Sequence, residues 1–212
     1  MDCFFVKTGK LLHRFFPQYE WKIQTKEPII YLTFDDGPTP EITHWVLDTL
    51  KQFDAKATFF CIGQNLQLYP DITHKVLEEG HAIGNHTFRH ENGWKTSTEI
   101  YVESAEQTQS EIRKNFVSKS RIFRPPYGKI RKEQAQQLIA KGYKIIMWDI
   151  LSRDYNPSVT PEICISTVVK NASCGSIIVF HDSKKAFPVL EKALPEILVS
   201  LKNKGYRFES LN

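Results

Sequence analysis

The chain has 212 residues, of which 41% are hydrophobic and 25% charged, the profile of a soluble globular protein able to bury one substantial core. Its net charge of +4 comes with acids interleaved among the lysines and arginines, so no basic run marks a nucleic-acid surface. Cys3, Cys61, Cys164 and Cys174 form no CxxC pair, which favours reduced thiols over a disulfide framework.

Met1 to Lys7 lacks an apolar h-region with a small-residue cleavage site, and no stretch is long enough to span a bilayer. A cytoplasmic location is therefore expected, with export left open. Phe4, Phe5, Leu11, Leu12, Phe15 and Phe16 recur at nearly helical spacing, with Lys7, Lys10 and Arg14 between them. An interfacial membrane helix and a helix packed on a domain share this pattern, and packing is the commoner outcome. Residues 1–28 read as an extension packed on a single domain of residues 29–212.

Ile29 to Leu32 reads as a buried strand ending in Thr33-Phe34-Asp35-Asp36-Gly37-Pro38. Two adjacent carboxylates repel unless a cation, a shared proton or a basic group compensates, so the pair calls for a metal or an arginine. An aspartate turn capping the next helix is the bland alternative. A helix then runs from Pro40 to Phe53, a strand from Ala57 to Ile62 is broken by Gly63, and a helix spans 71–79. A short strand at 81–84 leads to His86-Thr87-Phe88-Arg89-His90. Spacing by four puts both imidazoles on one side of a helical turn, and with Asp36 they make three ligands for one divalent cation. Three protein ligands leave a position for water, the mark of a catalytic site. Zinc suits this set, with cobalt, nickel or manganese as alternatives.

A long helix at 98–116 precedes the strand Ile122-Phe123, which delivers Arg124-Pro125-Pro126-Tyr127-Gly128. Helix 131–141, strand 144–148, helix 161–171, strand 176–180, helix 189–204 and strand 206–209 complete the alternation. His181-Asp182 follows the strand Ile177 to Phe180. Regular βα alternation implies parallel βαβ units with the chemistry at the carboxyl ends of the strands, in a barrel or an open sheet.

Thr33 to Pro38, His86 to His90, Arg124 to Tyr127 and His181, in that order, resemble the motifs of the polysaccharide deacetylase family, also called the NodB-homology domain or carbohydrate esterase family four. The likeness covers roughly residues 29 to 210. It implies a distorted, incomplete (β/α) barrel and hydrolysis of N-acetyl groups on a carbohydrate substrate. It also implies roles: Asp36, His86 and His90 as metal ligands, Asp35 as general base paired with Arg124, and the Tyr127 backbone N–H at the oxyanion. His181 would be the general acid, oriented by Asp154, although Asp149 competes for that place. The fourth motif departs from the pattern, with Leu151 where the family usually has Asp and Tyr155 where it has Trp. Tyr155 and Val179 would wall the pocket for the acetyl methyl, and Trp94 is a candidate for stacking on a sugar ring, with core packing its equal alternative. An O-acetyl esterase and a binding protein without catalysis are the competing readings. The residues specify no oligomeric state.

Overall fold

The computed structural model describes residues 7–116 and 120–211. In chain order the elements are α1 (Lys10–Phe15), β1 (Ile29–Asp35), α2 (Ile42–Gln52), β2 (Ala57–Cys61), α3 (Gly63–Leu68), α4 (Pro70–Glu78), β3 (Ala82–Asn85) and α5 (Thr98–Phe116). They continue with β4 (Ile122–Phe123), α6 (Lys132–Ala140), β5 (Lys144–Ile145), β6 (Ile150–Leu151), α7 (Pro161–Asn171), β7 (Ile177–His181), α8 (Phe187–Asn203) and β8 (Arg207–Phe208).

Every pairing between these strands is parallel, in the order β5-β4-β3-β2-β1-β7-β6, with β8 alongside the first residues of β1. The two ends of that order are consecutive in sequence, which forces curvature. In a flat sheet six strand spacings of about 4.8 Å would part the edges by roughly 29 Å, whereas the five steps from Ile145 to Ile150 reach about 18 Å at most. The sheet therefore curls into an incomplete barrel, without β5 pairing to β6. The N-terminal segment lies across that seam. Glu20 N–H donates to Ile145 O at 2.9 Å, Met147 N–H to Glu20 O at 2.8 Å, and Thr8 N–H to Asp149 O at 3.0 Å. Tyr19 and Trp21 are buried with Tyr143, Ile145 and Met147. Phe15 and Phe16 are exposed. Phe4 and Phe5, which the amphipathic pattern also used, lie outside the described residues.

Strand alternation sorts the side chains into two layers. Ile30, Leu32 and Phe34 of β1, with Ile178 and Phe180 of β7, face outward into the main core beneath the helices. Phe34 stacks between Phe59 and Phe180, at centroid distances of 5.2 and 5.7 Å. Tyr31, Ile177, Phe60, Ile122 and Ile146 fill the barrel interior. Thr33 and Asp35 continue that inward face toward the carboxyl edge.

Two sequence expectations need correction, and one was incomplete. Gly63 does follow the end of the β2 run, but it also starts α3, which was not anticipated. A Cβ there would lie 2.5 Å from both the Phe88 ring and Thr108 Oγ1, so glycine permits the close approach of α3 to its neighbours. The stretch 144–148 is a strand only over Lys144–Ile145, and β6, flanked by Asp149 and Ser152, was not anticipated. His86 to His90 is not a helical turn. It is an irregular loop in which Thr87 and His90 have φ of 63° and 61°. Among the described residues Cys61, Cys164 and Cys174 are free thiols, and no helix is long and apolar enough to cross a membrane.

Candidate active site

The carboxyl ends of the parallel strands surround a cavity of about 610 Å³, a size suited to a small ligand or one ring of a longer one. Asp35 ends β1 directly opposite His181 of β7 in the strand register. Asp36 then leaves the strand with φ 82°. That break in alternation explains how two consecutive carboxylates both line the cavity. Asp36 is held in this posture by its backbone, since Asn65 Nδ2–H donates to Asp36 O at 2.8 Å.

His86 and His90 converge on Asp36 despite the missing helix. Their Nε2 atoms stand 3.8 and 3.2 Å from Asp36 Oδ1. One donor atom from each of the three residues lies within 4.8 Å of the others. Ligands bonded to zinc at about 2.1 Å in a tetrahedron are about 3.4 Å apart, so the group has the dimensions of a metal site. Asp36 Oδ1 is buried yet accepts no hydrogen bond of good geometry, as a ligand atom would be. His86 Nδ1 lies 2.7 Å from Arg124 O, which fixes the tautomer with its proton on Nδ1 and leaves the Nε2 lone pair for a cation. Burial pushes the His86 imidazole down to about 4, against the pull of the Asp35 and Asp36 carboxylates, so it is neutral at pH 7. Burial alone would raise Asp36, but His90 Nε2 at 3.2 Å and the charge of His181 hold it well below the usual carboxylate range. His90 Nδ1 lies 3.1 Å from the Tyr127 hydroxyl.

Asp35 is 5% exposed and meets Arg124, which is fully buried. Arg124 Nη1 donates to Asp35 Oδ1 at 2.7 Å and Thr33 Oγ1 at 2.6 Å, Nη2 to Met147 O at 3.0 Å, and Nε to Ile146 O at 3.3 Å. Its guanidinium carbon also lies 4.1 Å from the Phe60 ring centroid. Burial lowers the Arg124 pKa, with Asp35 opposing it, but a guanidinium stays charged regardless.

Asp154, and not Asp149, partners His181. Asp154 Oδ1 lies 2.8 Å from His181 Nδ1, and Oδ2 accepts from the His181 backbone N–H at 2.8 Å. Asp149 is instead occupied by Ser176 Oγ at 2.6 Å and Lys22 Nζ at 3.9 Å. Burial would lower the His181 pKa, but the Asp154 carboxylate, helped by Asp36 and Asp35, raises it to about 9.

Tyr155, Val179 and Leu151 line the cavity beside His181, and the Tyr155 ring meets the His181 ring edge-on at 4.8 Å. Tyr127 lines it from the other side, with φ 61°. Trp94 does not line it. Its ring is 58% exposed and sits 5.3 Å from Lys129 Nζ, a group that does. Two features escaped sequence reasoning. Trp148 lines the cavity, and its ring packs where a Cβ on Gly128 would stand. Asp182 is fully buried, accepting from Gly37 N–H at 3.1 Å and from Thr43 Oγ1 at 2.5 Å. Burial pushes the Asp182 carboxyl up to about 8. The Gly37 signal was readable in principle, because the Asp182 carboxylate fills the space a side chain there would need.

A family model described as polysaccharide deacetylase matches residues 22–146. The chain is 38% identical over 195 residues to a peptidoglycan-N-acetylglucosamine deacetylase of Bacillus cereus, covering 91% of this chain and 90% of that one. It is 37% identical over 166 residues to a chitooligosaccharide deacetylase of Azorhizobium caulinodans, covering 76% and 77%. A peptidoglycan-N-acetylglucosamine deacetylase of Listeria monocytogenes is 34% identical over 183 residues, and there the match spans only 38% of the longer relative. Among solved structures, that of the Bc1960 peptidoglycan N-acetylglucosamine deacetylase superposes with a TM-score of 0.87 at 33% identity, over 92% of this chain and 91% of that one.

Proposed function

The chain belongs to the polysaccharide deacetylase family, and on that premise we propose that it hydrolyses the N-acetyl group of amino-sugar units in an oligo- or polysaccharide, releasing acetate. The observation that carries the reading is the convergence on one cavity of the Asp36, His86 and His90 donors, the Asp35–Arg124 pair and the Asp154–His181 pair. Amide hydrolysis needs an activated water, a stabilised oxyanion and a proton for the amine, and each has a candidate here.

Asp36, His86 and His90 would hold one divalent cation, zinc by the chemistry of the donor set. When bound, it would supply Lewis acidity to the water and the acetyl carbonyl. Asp35, aimed by Arg124, takes the proton of the attacking water. The Tyr127 backbone N–H donates to the developing oxyanion. His181, held in its protonated form by Asp154, gives its proton to the departing amine, and Asp154 holds that ring by Nδ1 so that Nε2 is the donor. Tyr155, Val179, Leu151 and Trp148 enclose the acetyl methyl and exclude water from the reacting amide.

The test is acetate release from N-acetylglucosamine oligomers and from peptidoglycan by protein stripped of metal and resupplied with zinc, beside an Asp35→Asn control. Metal-dependent release that the control abolishes is expected. Metal-loaded protein inert on both substrates would refute the reading, and faster release from O-acetylated glycans would replace it by an esterase.

A further inference from the structure

Among the described residues no carboxylate other than Asp35 and Asp36 lines the cavity, yet Lys129, Lys184 and Lys185 all do. They stand on two sides. Lys129 follows β4, on one flank of β1 in the strand order, and Lys184 and Lys185 follow β7, on the other. Lys129 Nζ lies 5.3 Å from the Trp94 ring centroid and 6.0 Å from that of Tyr127, while Lys185 Nζ lies 5.5 Å from the Tyr155 ring. A cation over an aromatic face is attracted to it, so these rings keep the ammonium groups of Lys129 and Lys185 at the cavity and not in bulk solvent. Among the described residues none of the three lysines forms an ion pair.

The charges deeper in the site are already matched. Asp35 is compensated by Arg124 and His181 by Asp154. Asp36 faces two histidines and, in a loaded site, a divalent cation. The three ammonium groups are therefore a surplus to which hydrolysis of the acetyl group assigns no task. They are also separate single charges on opposite flanks, unlike the convergent guanidinium forks or backbone N–H nests that suit phosphate.

We propose that the preferred substrate is an acidic glycan, in which carboxylates on units flanking the N-acetylated ring are received by Lys129 on one side and by Lys184 and Lys185 on the other. This rests on the reading of the cavity as an amino-sugar deacetylase site and narrows its substrate to the carboxylate-bearing class. Partly exposed ion pairs of this kind contribute up to about fivefold each, so the three lysines give about tenfold to hundredfold discrimination at low salt.

The experiment uses the metal-loaded protein and two tetrasaccharides of identical length, with N-acetyl groups on every ring and a lactyl carboxylate on alternate rings. In one the carboxylates are free, and in the other they are capped as uncharged methyl amides. The expected kcat/KM is at least tenfold higher on the free acid, with the ratio shrinking as salt is raised. In a Lys129→Gln/Lys184→Gln/Lys185→Gln variant the ratio falls to near one, each protein's rate on the amide form serving as its own reference. Lys184→Glu/Lys185→Glu inverts the preference. Equal rates on the two forms, or a preference that survives the triple substitution, would overturn the proposal. Calorimetric binding of both compounds separates it from the underlying reading. Tighter, lysine-dependent binding of the acid without acetate release would reject deacetylation and retain the charge selection, whereas acetate release with equal binding and equal rates would do the reverse.

Discussion

Replacing Asp154 by Asn isolates what raises the proton affinity of His181. The asparagine keeps the volume and one oxygen acceptor, but it removes the charge 2.8 Å from Nδ1. Asp154 outweighs Asp36 and Asp35 among the influences that lift the His181 pKa from 6.5 to about 9, and burial acts in the opposite sense. Without Asp154 the imidazolium should lose its proton at or below the ordinary 6.5. A general acid works only while protonated, so activity is retained below its pKa and lost as pH rises through it. The alkaline limb of kcat should therefore move from near 9 to about 6.5, by the full size of the shift. The protonated fraction then falls about fourfold at pH 7 and about thirtyfold at pH 8. Acetate release measured from pH 6 to 10, at equal metal content, reads this directly. An alkaline limb that stays in place in the variant would refute the role of His181 as donor. A uniform loss with an unchanged profile would mean that Asp154 only orients the ring.

The other expectations follow from single contacts. Tyr127→Phe removes the hydroxyl 3.1 Å from His90 Nδ1, and loss of such a partner should weaken metal affinity by about tenfold or more in a competition titration, without changing the fold of this exposed position. Asp182→Ala orphans the Gly37 N–H and the Thr43 hydroxyl, at a cost of about 1–3 kcal/mol in denaturant unfolding, and should loosen the metal as the Asp36 turn relaxes. Arg124→Met leaves Asp35 buried without its cation and should destabilise the protein by about 3–5 kcal/mol, whereas Asp35→Asn/Arg124→Met should recover part of that loss. A double variant no more stable than Arg124→Met alone would show that the other three hydrogen bonds of Arg124, not the ion pair, hold this region.

Periodicity and end signals made much of the fold legible. Helix α7 begins at Pro161 behind Thr160, whose hydroxyl accepts from Ile163 N–H, and both of its ends were readable. Helix α5 was equally plain, with its buried positions recurring on one face. What stayed hidden depended on long-range contacts. β6 is two residues long and exists because β7 pairs with it. The seam-crossing segment 7–22 carries no mark of the strands it bridges. The two histidines converge on Asp36 without the helical turn expected of them, because positive φ at Thr87 and His90 has no sequence signature comparable to glycine. The lysines were invisible for another reason. Lys129, Lys184 and Lys185 belong to an evenly mixed charge pattern, and only the fold gathers them at one cavity.

Burying the Arg124–Asp35 pair is expensive, since each ion gives up hydration worth several kcal/mol, and well-packed apolar residues of similar volume would serve stability as well or better. Its presence beneath the cavity that Asp35 lines therefore argues for a task other than stability. The guanidinium satisfies four acceptors contributed by β1, Ile146 and Met147, and so fixes Asp35 in one orientation. Asp35 in turn sits beside Asp36 in sequence and opposite His181 in register. In the proposed reaction this one rigid carboxylate would set the base relative to the donors of Asp36, His86 and His90 on one side and to His181 as proton donor on the other. Parallel strands supply that arrangement cheaply, because each carboxyl end is a short step from its neighbour. On the proposed reading the chemistry would be placed by register and by one buried cation, while the loops that follow, bearing Tyr127, Lys129, Tyr155 and Lys185, would determine which glycan is received.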